Sequence, residues 1–357
     1  MEDNKHLYLY KDIVPIPPLG LVDDLFTISP CGSSTTKLNQ YINSKTAEKR
    51  LQFGTSKCIK LHVGQTCNKE LCKDLYVDGW TVKVETDPVT GKCFQSEYYG
   101  GAEKMKVKQE QTYLGDVISD DGKHNKNVQA RSNKGLGIIT QIKQILDSIV
   151  YGKHHFEVAM VLRESLFLSS LLLNSEAWVN LSDRDIRTLE KTDEILLSKI
   201  LECEANTSNT FKYLELGIYP IRFEIMKRKI IFLQYILKQD QNSMIYKVFK
   251  ATSENPVKND FVETCKKYLK QLDIKLTFEE ISEMSSNRLK NIVKQKTEEA
   301  GFNHLLKEKN KQKKIVDIEY KKLEIQEYLK EGNRNTRLSR IIFKARGKNL
   351  DIKMQKK

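Results

Sequence analysis

The sequence predicts an α+β chain with its strands gathered at the front, and three observations carry that expectation. Over residues 1–120, short apolar runs alternate with turn signals at the two-residue period of half-buried strands. From about Lys123 the apolar period changes to that of a helix, with Ile138, Ile139, Ile142, Ile145, Leu146 and Ile149 at i, i+3, i+4 spacing. The chain has only 17 Gly and 7 Pro and is 39% hydrophobic, enough to fill cores and unlike a disordered or collagen-like polymer.

Taken in order, Ile13–Val22 and Leu25–Ser29 are apolar runs separated only by Asp23-Asp24. That is hairpin spacing, and aspartate tolerates the left-handed backbone a two-residue turn demands. Ser33–Glu48 is a polar-capped helix, and Leu51–Phe53 with Cys58–Val63 form a second strand pair. Asp78-Gly79, between Leu75–Val77 and Trp80–Val84, is a strong turn signal and predicts a short hairpin. Another hairpin is expected around Asp87–Gly91, and Met105–Ser119 is the last strand-like segment.

Helices are expected over Phe156–Ala177, Ser182–Cys203, Ile221–Lys238, Asn242–Ala251 and Leu289–Ala300. Ser182-Asp-Arg-Asp185 and Thr277-Phe-Glu-Glu280 have capping-box spacing, in which side chain and backbone satisfy each other's orphan donors. Pro220 suits a helix start. Lys307–Lys330 reads as a largely solvated helix with a stripe at Ile315, Ile318 and Ile325. His154-His155 opens a helix and is expected to face solvent, whereas Trp178 and Tyr213 pack the helical array. No internal repeat is found. Domains are expected at 1–120, 121–252 and 253–357.

Charge and cysteine usage narrow the function classes. The net charge is +13, and residues 301–357 alone carry 17 basic and 7 acidic side chains, so a nearly neutral body bears a basic tail. Polyanions are its natural partners. The most apolar run, Leu166–Leu173, is eight residues long, far short of the roughly 20 a membrane span needs, so no membrane partner is expected. The charged N-terminus has no apolar export segment. Seven scattered cysteines, an odd number, suit thiols in a reducing compartment, nucleus or cytoplasm.

Two adjacent carboxylates at a hairpin tip are hard oxygen donors that can share divalent cations. By themselves they also suit a plain solvated turn. Their surroundings add more: Ile16–Leu25 around Asp23-Asp24, then Thr36–Thr46, then Leu51-Gln-Phe-Gly-Thr-Ser-Lys-Cys58, then Tyr113-Leu-Gly115. In that order and spacing they resemble the later palm motifs of LINE-type (non-LTR) retrotransposon reverse transcriptases. Ala130–Ile139, Arg163-Glu-Ser165, Asn174-Ser-Glu-Ala-Trp178 and Tyr213-Leu-Glu-Leu-Gly217 resemble the thumb and post-thumb of the same proteins. The resemblance spans about residues 11–250.

The resemblance implies a partial palm of antiparallel hairpins plus a helix, a helical thumb and a basic helical extension. It implies RNA-directed DNA polymerisation, with an RNA template, a DNA primer, deoxynucleoside triphosphates and two Mg²⁺. Asp23 and Asp24 match the metal-binding pair, with Val22 where the family usually has a small residue. Lys57 matches the lysine near the triphosphate, where a cation assists the leaving pyrophosphate. Tyr113, Leu114 and Gly115 match the primer grip. A working palm also needs fingers and a third carboxylate upstream, and only 22 residues precede Asp23. The expectation is therefore a fragment inactive in polymerisation by itself.

Two further constellations stand apart from the resemblance. Cys58, His62, Cys67 and Cys72 supply four soft zinc donors, but their spacing matches no common zinc module, and buried thiols are the simpler reading. Arg334, Arg337, Arg340 and Lys344 lie near one helical face around Leu338, Ile341 and Ile342, and suit phosphate contacts. A non-catalytic nucleic-acid-binding protein, or a decayed product without function, is the alternative to the polymerase reading.

Overall fold

The computed structural model describes residues 7–9, 14–16, 19–21, 24–26, 28, 32–48, 58–61, 76–86, 93–104, 106–148, 154–204, 206–331 and 336–347. The architecture is broadly α+β, with every described strand ahead of residue 120 and helices dominating thereafter. Two compact units result, one of residues 1–123 with 241–255 and one of residues 124–240 with 256–357. The boundary expected at 252/253 falls inside the 241–255 segment of the first unit, and residues 124–240 and 256–357 form one unit.

In the first unit the strands pair two by two. The run from Ile13 to Val22 does not form one arm of a hairpin. β1 (Leu7–Leu9) pairs with β2 (Val14–Ile16), while β3 (Leu19–Leu21) pairs with β4 (Asp24–Phe26), all antiparallel. Pro17 and Pro18, which have no N–H to give a ladder, stand between β2 and β3 in sequence. Helix α1 (Gly32–Glu48) comes next. β5 (Ile59–Leu61) pairs in parallel with β8 (Lys106–Lys108), not with Leu51–Phe53, which lies outside the described residues.

The Asp78-Gly79 turn is a second correction. β6 (Tyr76–Thr86) runs straight through it and pairs with β7 (Cys93–Lys104), the register slipping between Asp78 and Trp80. Glycine there forms a bulge rather than a reversal, because the reversal falls after Thr86, which pairs with Cys93. β9 (Glu110–Tyr113) and β10 (Asp116–Ser119) form the last hairpin. Helix α8 (Met244–Glu254), capped by Ser243, also belongs to this unit.

The second unit is helical. α2 (Asn125–Ser148) buries Val128, Ser132, Gly135, Ile139, Ile142 and Leu146 along one stripe. Small residues in that stripe bring helices close: Ser132 Oγ lies 2.6 Å from Thr192 Oγ1, and a Cβ on Gly135 would sit 3.1–3.4 Å from Thr192, Leu171 and Phe167. α3 (His155–Leu162) continues as a π-helical segment (Arg163–Leu168) into the short α4 (Ser169–Leu171). The helix expected to reach Ala177 breaks into turns after Leu171.

α5 (Asp183–Leu201) starts at the Ser182/Asp185 capping box, and α10 (Phe278–Glu283) starts at the Thr277/Glu280 box, as their spacing predicts. α6 (Asn209–Leu216), α7 (Ile221–Leu237, with Pro220 at its N-cap), α9 (Phe261–Gln271) and α11 (Ser286–Asn310) complete the packed array.

The helix expected over Lys307–Lys330 is absent: α11 ends at Asn310, and turns carry the chain to α12 (Glu327–Glu331). This segment is held by bonds to a distant part of the same chain that a regular helix would preclude. Ile325 bridges to Leu216, and Gln326 N–H donates to the Glu215 carbonyl at 3.0 Å. It crosses directly over Gly217, whose φ is +67°, and a Cβ there would lie 2.1 Å from the Glu324 carbonyl carbon.

Two glycine substitutions should therefore move stability in opposite directions. Gly217→Ala, facing both the left-handed φ and the backbone collision, should cost more than about 2 kcal/mol. Gly137→Ala, in the interior of α2 with nothing within 4 Å of its added methyl, should add about 0.5–1 kcal/mol. Urea unfolding of the intact chain reads both.

Candidate functional site

The residues of the expected palm site divide between described and undescribed positions. Asp24 opens β4, its backbone paired with Leu21. Asp23 and Lys57 lie outside the described residues, as do His62, Cys67 and Cys72. Cys58 is half-buried just before β5, and burial pushes its thiol up. Among the described residues no cluster of three or more His, Cys, Asp or Glu could hold a metal ion. The donor chemistry of the adjacent Asp23 and Asp24 is that of a hard cation such as Mg²⁺.

Tyr113-Leu114-Gly115 is not continuous strand but the tip of the β9–β10 hairpin. Tyr113 pairs with Asp116, and Leu114 and Gly115 have φ of +48° and +86°. Two left-handed residues in a two-residue loop match the twist of the strands, a geometry that favours Asn, Asp or Gly first. Here a leucine occupies that position, 48% exposed. Its side chain gains neither burial nor an easy backbone, which is the kind of local cost found where a residue meets a ligand.

The helical motifs are packing devices. Arg163 starts the π-helical segment fully inside the unit, its Nε and Nη2 donating to Asp193 at 2.8 and 2.7 Å, and Tyr213 donates to the same carboxylate at 3.2 Å. Arg222 makes a similar paired contact to buried Glu190, at 2.6 and 2.7 Å. Trp178 and Tyr213 are buried as expected. The Asn174–Trp178 turn presents the carbonyls of Glu176 and Trp178 to the Lys229 ammonium at 2.9 and 2.5 Å, with the Phe261 ring 4.8 Å away.

Glu215 is fully buried and accepts from Tyr320 and Tyr328, each at 2.5 Å, and from Arg346 at 3.1–3.2 Å. Burial and then this carboxylate push both phenols up. Nothing in the sequence marks Glu215 as such a centre except its place in the Tyr213–Gly217 motif.

α13 (Thr336–Arg346) carries the basic residues expected to meet phosphate. Its inward face is not Leu338, Ile341 and Ile342 but Thr336, Ser339 and Phe343; Leu338 is 51% and Ile341 46% exposed. Phe343 packs on Phe211 at 4.8 Å between ring centres. The inward set also includes Arg340, whose Nη1 reaches Glu202 at 3.0 Å and whose Nη2 lies 3.4 Å from His155, so His155 faces inward and not solvent. Arg337 is exposed and Lys344 half-exposed, while Arg334 lies outside the described residues.

No family model, curated protein or solved structure matches this chain. Among the described residues no helix is long and apolar enough to cross a membrane.

Leu114→Asn relieves the left-handed strain at the β9–β10 tip and should raise stability by about 0.5–1 kcal/mol. If Leu114 contacts nucleic acid, the same variant binds a primed RNA–DNA hybrid more weakly although it is more stable, a divergence that paired melting and anisotropy titrations detect.

Burial, the dominant effect on Lys229, draws its pKa from 10.5 to about 8. Between those values the unfolded chain holds a proton the native chain has released, so this group makes stability rise with pH from about 8 to 10.5. The gap in urea stability between the wild type and Lys229→Met should therefore shift in favour of the wild type by up to about 3 kcal/mol across that window. A flat gap would mean that Lys229 keeps its ordinary pKa.

Proposed function

We propose that this chain is the palm end and thumb of a LINE-type reverse transcriptase, a nucleic-acid-binding part of an enzyme that adds deoxynucleotides to a primer on an RNA template. The observation that carries the reading is the antiparallel β3–β4 pair, in which Asp24 pairs with Leu21, with Asp23 beside it in sequence. The order of the later elements supports it: helix α1, the Tyr113-Leu114-Gly115 hairpin with its exposed tip, then the helical unit.

In this reading Asp23 and Asp24 hold Mg²⁺, which when bound supplies charge neutralisation for the triphosphate and activation of the primer hydroxyl. Lys57 adds a cation at the leaving group. Leu114 abuts the primer end, and Arg337 and Lys344 contact phosphate. The place of action is nucleus or cytoplasm, with RNA template, DNA primer and deoxynucleoside triphosphates as partners. The exposed cations of α13 favour a second reading, a protein that grips nucleic acid without catalysis.

Titration of the full chain with a primed RNA–DNA hybrid separates the readings. Both expect affinity that falls steeply with salt, by about tenfold or more between 50 and 200 mM. Only the polymerase reading expects Mg²⁺ to tighten the complex, and Asp23→Asn with Asp24→Asn to abolish that gain. Salt-dependent binding indifferent to Mg²⁺ selects the second reading, and absence of salt-dependent binding rejects both.

A further inference from the structure

A groove of about 630 Å³ opens where α9 ends, the loop Leu272–Thr277 turns and α10 begins. Its floor is apolar: Leu269 and Ile274 are buried at 5% and 6% exposure, and Phe278 is half-buried at the start of α10. Lys266, Lys270 and Lys275 form its rim. Lys266 and Lys270 are four residues apart on α9 and so share a face. The Lys266 ammonium sits 5.9 Å from the centre of the Phe278 ring.

Among the described residues none of the three lysines is in an ion pair, in a unit where Arg163, Arg222, Arg340 and Arg346 are all bound to carboxylates. Asp273 also lines the groove, but Lys296 lies 3.7 Å from it. Glu279, on the first turn of α10, is the other carboxylate of the rim and leaves the lining positive by one charge.

We propose that this groove holds one nucleotide of a single-stranded nucleic acid, its base against Phe278 and its flanking phosphates on Lys266, Lys270 and Lys275. An aromatic platform inside a cationic groove is what such strands require, because every base has a face to stack and every linkage a charge to neutralise. The volume suits one nucleotide and excludes a duplex. An acidic peptide would find the same charges but gains nothing from a ring beneath it. The site shares only its ligand class with the polymerase reading, since it lies apart from Asp23, Asp24 and α13 in the sequence.

The test is fluorescence anisotropy of a labelled ten-nucleotide oligouridylate against the full-length chain, with the primed hybrid and a polyglutamate peptide titrated in parallel. Lys266→Gln with Lys270→Gln and Lys275→Gln should weaken oligouridylate binding at least tenfold and lower the salt slope by about 2. Phe278→Leu, which keeps an apolar side chain, should weaken it about fivefold or more at unchanged slope. Lys313→Gln with Lys314→Gln, two exposed lysines outside the groove, should leave it within twofold.

Wild-type affinity in the triple variant overturns the proposal, as does polyglutamate binding that loses as much on Phe278→Leu. Hybrid binding with no oligouridylate binding overturns the groove while leaving the polymerase reading intact. The converse result supports the groove and counts against that reading.

Discussion

A charge pair that water does not reach organises the helical unit. Arg163, the first residue of the π-helical segment, meets Asp193 on α5 in a paired contact, and Tyr213 on α6 closes the third side. Burial works against the Arg163 charge, and Asp193 more than offsets it, so the guanidinium stays charged. A buried pair of this kind adds little net stability over a well-packed apolar core, but losing one member strands the other at a cost of about 3–5 kcal/mol. It therefore acts as a constraint: three elements far apart in sequence have one arrangement in which neither charge is orphaned.

The same economy recurs outward from that centre and changes the meaning of the net charge. Glu190 takes Arg222, Lys229 holds the turn after α4, Lys309 donates to the carbonyls of Val316 and Ile318, and Glu215 gathers Arg346 with two tyrosines. Each of these cations counts toward +13 in the sequence. Each is already bonded within the unit, although Arg222 and Arg346 keep about a third of their side chains exposed. What a polyanion can meet is the smaller set left over, including Arg337 on α13 and the three lysines around Phe278, so local freedom of charge outweighs total charge in locating an interface.

Local rules written within four residues are legible in the sequence. The two capping boxes and the start of α7 at Pro220 fall where their spacing places them, because the groups that satisfy one another are neighbours along the chain. Rules that depend on a distant partner are not. Asp78-Gly79 has the composition of a turn, yet β7 offers a long partner to both sides of it, and the pair becomes a bulge. Residues 307–330 have a helical stripe, yet Glu215 and Leu216 draw that segment into a bonded crossing. The aliphatic side chains of α13 suggest one inward face, whereas Phe211, Glu202 and Glu215 turn its other face inward.

The resemblance to reverse transcriptases divides along the same line. Its thumb-like motifs are buried or bonded inward: Arg163 to Asp193, the Asn174–Trp178 turn to Lys229, Glu215 to Arg346, and Gly217 beneath the Glu324 backbone. A stable unit needs such residues whatever it does, so likeness at those positions speaks to how the chain packs. The palm-like positions carry a different kind of information. Leu114 bears a left-handed backbone at an exposed tip, a local cost that the folded state does not require, since Asn or Gly would serve the hairpin better. A left-handed leucine at an exposed tip is a cost that the hairpin itself does not explain, so the polymerase reading we propose leans on the hairpins more than on the helices.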